Sequence, residues 1–140
     1  MPETIRFHEI RQKVCCKPGI YEIYTDDGIP LKVGIGGNIK ERLLHHKASR
    51  DSGLKLKDGG NRRNPVDVES KKSILAKHLY YDGSITDEFD LKTEAGRREF
   101  LEKCCYIKFW YTKSREKAKH IEDERQREIA WRYLGKVVVR

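Results

Sequence analysis

The chain has 140 residues, a length typical of one domain, and 37% of its residues are charged, which is polar but not typical of disorder. The formal net charge of +8 at pH 7 favours a polyanionic partner such as nucleic acid. No apolar run reaches the ~18 residues of a membrane helix, and the first residues lack an apolar signal region. We therefore expect no membrane span and no secretion, and a cytoplasmic location.

The first elements form a predicted hairpin. Residues 1–18 are a polar lead-in that ends at a proline. Residues 19–25 (GIYEIYT) are rich in strand-forming Ile and Tyr and predict a strand. A turn signal, residues 26–28 (DDG), precedes a second short strand over residues 31–35 (LKVGI). Because too few residues join the two strands for a parallel crossover, they should pair antiparallel.

A helix is predicted after the glycine pair Gly36-Gly37. Asn38 is a suitable N-cap, and Ile, Leu and His side chains recur at helical spacing to about Ser49. The glycines match neither the phosphate-binding loop G-x-x-x-x-G-K-[ST] nor the dinucleotide pattern G-x-G-x-x-G within a βαβ unit. They therefore separate a strand from a helix and do not indicate a nucleotide site.

A long loop is predicted over residues 51–67 (DSGLKLKDGGNRRNPVD). Structureless loops of this length in compact domains are usually functional or disordered. We predict that its cations contact nucleic-acid phosphates, and a solvated basic surface is the alternative. These cations are Lys55, Lys57, Arg62 and Arg63.

Two further helices are predicted before the next strand. Ser70 is the candidate N-cap of the first, in which apolar residues and His78 share one face. We interpret His78 as a histidine at the edge of the core and not as a ligand. The second helix should span about residues 93–103.

The last third of the chain carries the clearest strand, residues 104–112 (CCYIKFWYT), in which hydrophobic residues alternate. Ser114 should cap a final helix that continues to about Leu134, where a glycine stops it. Residues 137–139 (VVV) are a candidate edge strand.

The four cysteines occur as two adjacent pairs, Cys15-Cys16 and Cys104-Cys105, and neither pair has the spacing of a zinc site. Neighbouring residues on a strand point to opposite faces, so we expect each pair to bury one thiol. Reduced thiols are expected in the cytoplasm.

The element order is thus β-β-α, a helical insertion at about residues 51–103, and β-α. This order predicts a single domain of the α+β class over residues 1–140. Its core, about residues 19–50 and 104–134, should be a small antiparallel three-stranded sheet flanked by helices.

Three motifs on this frame share their order and spacing with a known family. They are Gly19-Ile20-Tyr21, then Lys32-Val33-Gly34, then the helical stretch Asn38-Ile39-Lys40-Glu41-Arg42-Leu43. The chain resembles the GIY-YIG nuclease family, whose GIY, YIG and N-[LI]-x-x-R-[LI] elements stand at these places. The resemblance is good over residues 19–50 and loose over residues 104–134, with no match between them.

The resemblance implies hydrolysis of phosphodiester bonds assisted by one divalent ion, Mg²⁺ or Mn²⁺. DNA is the expected substrate and RNA the alternative. In the family a helix carboxylate holds the ion, a tyrosine or another base takes a proton from the attacking water, and an arginine steadies the phosphate. These residue types suit the chemistry, because Mg²⁺ polarises phosphoryl oxygens and a guanidinium clamps phosphate in a bidentate way.

The motif matches imply roles for four residues. Tyr21 is the general base or water positioner, and Arg42 is the phosphate clamp. His46 lies one helical turn beyond Arg42 and is expected to contact the water or the phosphate. Lys32 replaces the first tyrosine of YIG, and either contacts phosphate or acts as a base when desolvation lowers its pKa.

The metal-binding carboxylate is expected on the last helix. Glu122 is the first choice, because Ala118 and Ile121 precede it as in the family pattern, and Glu124 is the alternative. Salt-bridged surface acids are the structural alternative for both glutamates. The alternative function is a nucleic-acid-binding module on the same fold without catalysis, which the lysine at position 32 favours. The oligomeric state is not indicated by the sequence.

Overall fold

The computed structural model describes residues 2–140 and contains a larger antiparallel sheet, a separate two-stranded hairpin and five α-helices. Three short 3₁₀ turns lie between these elements, at Phe7–Glu9, Asp51–Gly53 and Pro65–Asp67. In chain order the strands and helices are β1 (Glu3–Ile5), α1 (Ile10–Lys13), β2 (Gly19–Thr25), β3 (Pro30–Gly36), α2 (Ile39–Ala48), β4 (Leu54–Leu56), β5 (Val68–Ser70), α3 (Ile74–Tyr80), α4 (Glu94–Cys104), β6 (Cys105–Tyr111) and α5 (Arg115–Glu128).

The main sheet has the strand order β1-β6-β2-β3, with every neighbouring pair antiparallel. The α+β class is therefore confirmed, but the prediction of three strands is wrong. The fourth strand is β1, which lies in the segment interpreted as a polar lead-in. Its Glu3 and Thr4 are exposed, and only Ile5 is buried, opposite Ile107. A strand with one inward residue has too little periodicity to be visible in the sequence.

The two faces of the sheet pack against different helices, because successive side chains of a strand point to opposite sides. One face carries Tyr21, Ile23 and Phe109 into the main core, which also includes residues of α1, α2 and α4. The other face carries Ile20 and Val33, which pack with hydrophobic residues of α5 and of the segment that follows it. The sheet is therefore covered on both sides.

Helix α2 begins where predicted, since the Asn38 side chain accepts a hydrogen bond from the backbone N–H of Glu41. It ends at Ser49, whose φ of 47° is left-handed. The guanidinium of Arg97, on α4, is fully buried and donates to the Ser49 carbonyl at 2.7 Å and 3.2 Å. Arg97 also pairs with Asp51, so the end of α2 and the start of the insertion are held together.

The insertion at residues 51–103 is not only helical, and the loop predicted for residues 51–67 is wrong in part. Strands β4 and β5 form an antiparallel hairpin, with Leu54 opposite Ser70 and both Leu54 and Val68 buried. Each strand has only three residues and is flanked by turn-forming residues. The many Gly, Asp, Asn and Pro residues of this segment therefore favour a loop in a prediction from sequence. The predicted cap is also displaced: Ser70 ends β5, and Ser73 caps α3 by accepting from Ala76 N–H.

Helix α5 is capped by Ser114 as predicted but ends at Glu128 and not near Leu134. The chain then turns back to β3, where Arg132 N–H donates to the Pro30 carbonyl and Tyr133 N–H to the Leu31 carbonyl. The apolar residues after position 128 continue a helical pattern in sequence, but Trp131 and Tyr133 are buried beside the sheet outside any helix, and Leu134 is exposed. Residues 137–139 form no strand.

The cysteine prediction holds for one pair only. Cys105, the first residue of β6, is buried and Cys104, the last residue of α4, is half-buried, whereas Cys15 and Cys16 are both exposed. The pair Cys15-Cys16 precedes β2 and is not on a strand. Within residues 2–140, no helix combines the length and the apolar character that crossing a membrane requires.

Candidate functional site

The hairpin β2–β3 places Tyr21 directly opposite Gly34. A Cβ atom added at Gly34 would lie well inside van der Waals contact with the hydroxyl of Tyr21. The phenol ring therefore crosses the backbone of Gly34, which requires a residue without a side chain. This explains in physical terms why a tyrosine in the first strand and a glycine in the second occur together.

The hydroxyl of Tyr21 is the first member of a buried hydrogen-bonded chain. It lies 2.6 Å from Nε2 of His46, and Nδ1 of His46 lies 2.7 Å from Oγ of Ser73. Tyr21 is 1% exposed and His46 is fully buried. Ser73 Oγ also accepts the N–H of Ala76 as the cap of α3, so the serine is held in place by a helix of the insertion.

Burial decides the protonation states of Tyr21 and His46 in this hydrogen-bonded chain. It lowers the pKa of His46 well below its ordinary value, and the positive charges of Lys32 and Arg42 act in the same direction. Burial also raises the pKa of Tyr21, against the smaller opposing effect of Arg42. At neutral pH both rings are therefore uncharged. The tyrosine then donates to Nε2 and Nδ1–H donates to Ser73, or both hydrogen bonds run in the opposite direction.

Lys32 joins the same cluster from β3. It stands opposite Ile23 in the register and is on the same face of the sheet as Tyr21. Its pKa is lowered to about 8, mainly by burial and also by the positive charge of Arg42, while the negative charge of Glu122 opposes both. The ammonium group is thus still mostly charged near pH 7 but loses its proton as the pH rises above about 8.

Arg42 lies at the solvent boundary of the cluster. It is half-buried, and its Nη1 donates to the backbone carbonyl of Lys72 at 3.0 Å. It lines a surface cavity of about 370 Å³ together with Gly37 and Lys71. The guanidinium is therefore accessible to a ligand, whereas Tyr21 and His46 behind it are enclosed.

Glu122 reaches the cluster from α5, which packs mainly on the opposite face of the sheet. It is 9% exposed, and its carboxylate accepts from Lys119 at 3.0 Å. Its charge acts on both Tyr21 and Lys32, which places it at the β3 edge, where the two faces of the sheet meet. Glu124 is exposed and is not among the charges that act on these groups.

The donors at this site fit a hydrated magnesium ion. Mg²⁺ in phosphoryl-transfer sites is commonly held by one or two carboxylates, with waters and substrate phosphates completing its octahedron. Glu122 supplies one such carboxylate. In residues 2–140 no group of three or more His, Cys, Asp or Glu side chains is arranged to hold a metal, so a closed protein cage of the zinc type does not fit.

The cations predicted to contact nucleic acid lie elsewhere on the insertion. Lys55 is exposed on β4 and Lys57 directly after it, and Arg62 and Arg63 are exposed in the connection between β4 and β5. The two arginines line a different cavity, which the C-terminal residue Arg140 also lines. None of the four lines the cavity at Arg42.

Sequence reasoning missed three consecutive residues, Lys71, Lys72 and Ser73, that do contact or flank the site. The sequence predicts the helix cap at Ser70, three residues before the actual cap Ser73. The signal was present, since Ser73 directly precedes the apolar run ILAKHLY. Their proximity to α2 depends on how the hairpin folds back, which no local pattern encodes.

The sequence-predicted residues therefore separate into a cluster and a remainder. Tyr21, Lys32, Arg42, His46 and Glu122 act on one another through hydrogen bonds and charge, although 101 positions separate the first from the last. Glu124 and the four loop cations are outside the cluster. Comparison of the chain with protein families, with curated proteins and with solved structures finds no match.

Proposed function

We propose that the protein is a divalent-metal-dependent endonuclease of the GIY-YIG type that hydrolyses phosphodiester bonds in DNA. The observation that carries the proposal is the meeting of Tyr21, Arg42 and Glu122 in one cluster with Lys32 and His46. These residues combine a proton acceptor system, two cations and one carboxylate. Phosphodiester hydrolysis needs each of these groups at one phosphate.

Tyr21 and His46 would handle the proton of the attacking water. The phenol is a poor base by itself because burial raises its pKa. However, it can take a proton from water while passing its own proton to Nε2 of His46, which is neutral and bonded to it at 2.6 Å. Ser73 keeps the imidazole oriented through Nδ1. Because Tyr21 is only 1% exposed, the water would have to reach its hydroxyl from the cavity at Arg42, whose charge acts on the phenol.

Arg42 and Lys32 would bind the phosphate. The guanidinium of Arg42 borders the solvent-filled cavity and offers planar, bidentate donors to phosphate oxygens. Lys32 is charged at neutral pH and lies close enough to Arg42 for each to feel the other's charge. A phosphate between them would relieve this repulsion, so ligand binding should raise the pKa of Lys32.

Glu122 would hold the metal ion. When bound, Mg²⁺ would polarise a phosphoryl oxygen and stabilise the departing 3′ or 5′ oxygen. The carboxylate must first leave its ion pair with Lys119, which is an exposed lysine on the same helix. Because Lys119 is exposed, water screens its charge, so the exchange should have a small cost.

The second candidate function is a nucleic-acid-binding module without catalysis. Two observations favour it: the hydroxyl of Tyr21 is buried and bonded to His46, and the carboxylate of Glu122 is bonded to Lys119. In such a module the cluster would be structural, and Arg42 would bind phosphate without further chemistry.

Conversion of supercoiled plasmid to nicked and linear forms, with Mg²⁺ or Mn²⁺ and then with EDTA, distinguishes the two functions. We expect metal-dependent cleavage by the parent, a loss of about 10²-fold or more for Arg42→Ala, and parental activity for Arg11→Ala. Arg11 is a matched control because it is an exposed arginine on α1. DNA binding without cleavage of DNA or RNA in either metal would favour the binding module.

A further inference from the structure

The insertion forms the second wall of a groove beside α2. The cavity of about 370 Å³ at Arg42 and a second cavity of about 310 Å³ share three lining residues, His45, Lys71 and Lys72. The first begins at Gly37, before α2, and the second reaches Arg50, after it. The two cavities therefore form one continuous groove along the helix.

The lysines of this groove are held in position by the candidate site itself. The carbonyl of Lys72 accepts from Arg42 at 3.0 Å, and the next residue, Ser73, bonds to His46 at 2.7 Å. On the other side, Lys71 N–H donates to the carbonyl of Gly53 at 2.9 Å. The backbone of the two lysines is thus fixed at both ends, so their side chains emerge beside Arg42.

The charge of the groove is almost entirely positive. Arg50, Lys71 and Lys72 are exposed, and within residues 2–140 none of them forms an ion pair with a carboxylate. Glu41 is the single acidic residue among those that line the two cavities. Cations without local partners favour an external polyanion.

The length of the groove can be compared with a nucleic-acid strand. Helix α2 has ten residues and is therefore ~15 Å long. One strand of duplex DNA advances only ~3.4 Å along the duplex axis per phosphate, but because the strand winds around the axis its phosphates are further apart in space, and roughly two to three of them span this distance. Four cations are available along it, namely Arg42, Lys71, Lys72 and Arg50.

We infer that this groove binds the DNA strand that is cut, with the scissile phosphate at Arg42 and the neighbouring phosphates at Lys71, Lys72 and Arg50. The inference rests on the proposed function, which it deepens by naming the path of the substrate. It also assigns the contacts nearest the cut to Lys71 and Lys72 and not to the predicted loop cations.

The test is binding of a fluorescent DNA duplex in EDTA, measured by anisotropy over a range of salt concentrations. Lys71→Ala/Lys72→Ala should weaken binding on the order of tenfold at about 0.1 M salt. The slope of log affinity against log salt should become shallower by about 1 to 2, because two phosphate contacts are lost. Lys71→Arg/Lys72→Arg keeps both charges and should bind like the parent.

The matched control is Lys13→Ala/Lys103→Ala, which removes the same charge at the other edge of the sheet. Lys13 lies beside β1, and the Lys103 carbonyl accepts from Arg6, which follows β1. This control should bind like the parent. Equal losses in both alanine pairs would show that only total charge matters and would overturn the inference.

Two further readouts keep the inference separate from the proposed function. If the alanine pair does not fold, the single variants Lys71→Gln and Lys72→Gln are measured in its place. Each of them removes one of the two positive charges and should weaken DNA binding less than the pair. Cleavage by the parent in Mg²⁺ is measured in parallel. A parent that binds through the groove but never cuts would refute the nuclease and leave the groove, whereas cutting unaffected by the lysine variants would refute the groove alone.

Discussion

Tyr21 of β2 and His46 of α2 are joined by a hydrogen bond of 2.6 Å between the phenol oxygen and Nε2, and both side chains are buried. This bond links the first motif of the chain to a histidine of the helix that carries the third motif. It also couples the protonation of the two rings, because a proton that leaves Tyr21 has a neutral acceptor in place.

Removing the phenol oxygen of Tyr21 tests whether its hydrogen bond to His46 serves catalysis as well as stability. Tyr21→Phe leaves Nε2 of His46 without its partner, and we expect cleavage to fall by about 10²-fold or more and the free energy of unfolding by about 1–3 kcal/mol. The matched control is Tyr24→Phe, whose hydroxyl bonds to Glu22. Initial nicking rates and urea unfolding measure both effects. Similar cleavage losses in the two variants would assign Tyr21 a structural role only.

The pKa of Lys32 should determine how the cleavage rate changes with pH on the alkaline side. Its pKa is lowered to about 8, so the ammonium group is present below this pH and lost above it. If it binds phosphate as a cation, the cleavage rate should fall above about pH 8, and Lys32→Arg should remain active at higher pH. A rate that rises through pH 8, with Lys32→Arg inactive, would make Lys32 the base. Single-turnover rates between pH 6 and 10 decide between these roles.

The metal carboxylate is tested by paired variants on α5. We expect Glu122→Gln to abolish Mg²⁺-dependent cleavage, because an amide oxygen is uncharged and binds the ion weakly. Glu124→Gln should retain parental activity, since Glu124 is exposed and outside the cluster. Isothermal titration of Mg²⁺ in the presence of uncleavable DNA gives a second readout. The opposite ranking of the two variants would move the site to Glu124.

Gly34 should tolerate no side chain. The Cβ of Gly34→Ala would overlap the hydroxyl and ring of Tyr21, so either the phenol moves away from His46 or the strands separate. We expect a loss of about 1–3 kcal/mol in unfolding free energy together with loss of cleavage. Gly37→Ala is the control, since its added Cβ meets no atom within 4 Å. Thermal unfolding and nicking of the two variants provide the comparison.

Stability should decline on mild acidification because of a buried histidine. His78 stacks on Tyr133 at 5.0 Å between ring centroids, and burial lowers its pKa from 6.5 to about 4. Below pH 6.5 the unfolded chain therefore binds a proton that the folded chain does not. The stabilising contribution is complete above this pH and is lost as the pH falls towards 4.

The expected loss from His78 between pH 7.5 and 5 is on the order of 2 kcal/mol, and buried His46 acts in the same direction. Urea unfolding at pH 7.5 and 5 measures it. His78→Phe keeps an aromatic ring against Tyr133 but cannot titrate, so its stability should depend less on pH over this range. An unchanged pH dependence in His78→Phe would show that other groups cause the decline.

Local patterns in the sequence determined much of the frame. Alternation, helical spacing and capping residues act between neighbours in the chain, and they predict β2, β3, α2, α4, β6 and the start of α5. The same patterns placed Tyr21, Arg42 and His46 on a strand and on one face of a helix. Elements of three residues, such as β1, β4 and β5, are too short for periodicity and needed tertiary pairing to appear.

Tertiary structure alone decided which charged residues act together. Glu122 and Glu124 are both candidate ligands by sequence, but only the packing of the helix against β3 buries Glu122 and leaves Glu124 exposed. Likewise, the sequence singles out the loop cations of the insertion, whereas the structure brings Lys71 and Lys72 to Arg42. Two hydrogen bonds hold them there: the Lys72 carbonyl accepts from Arg42, and the hydroxyl of Ser73 bonds to His46.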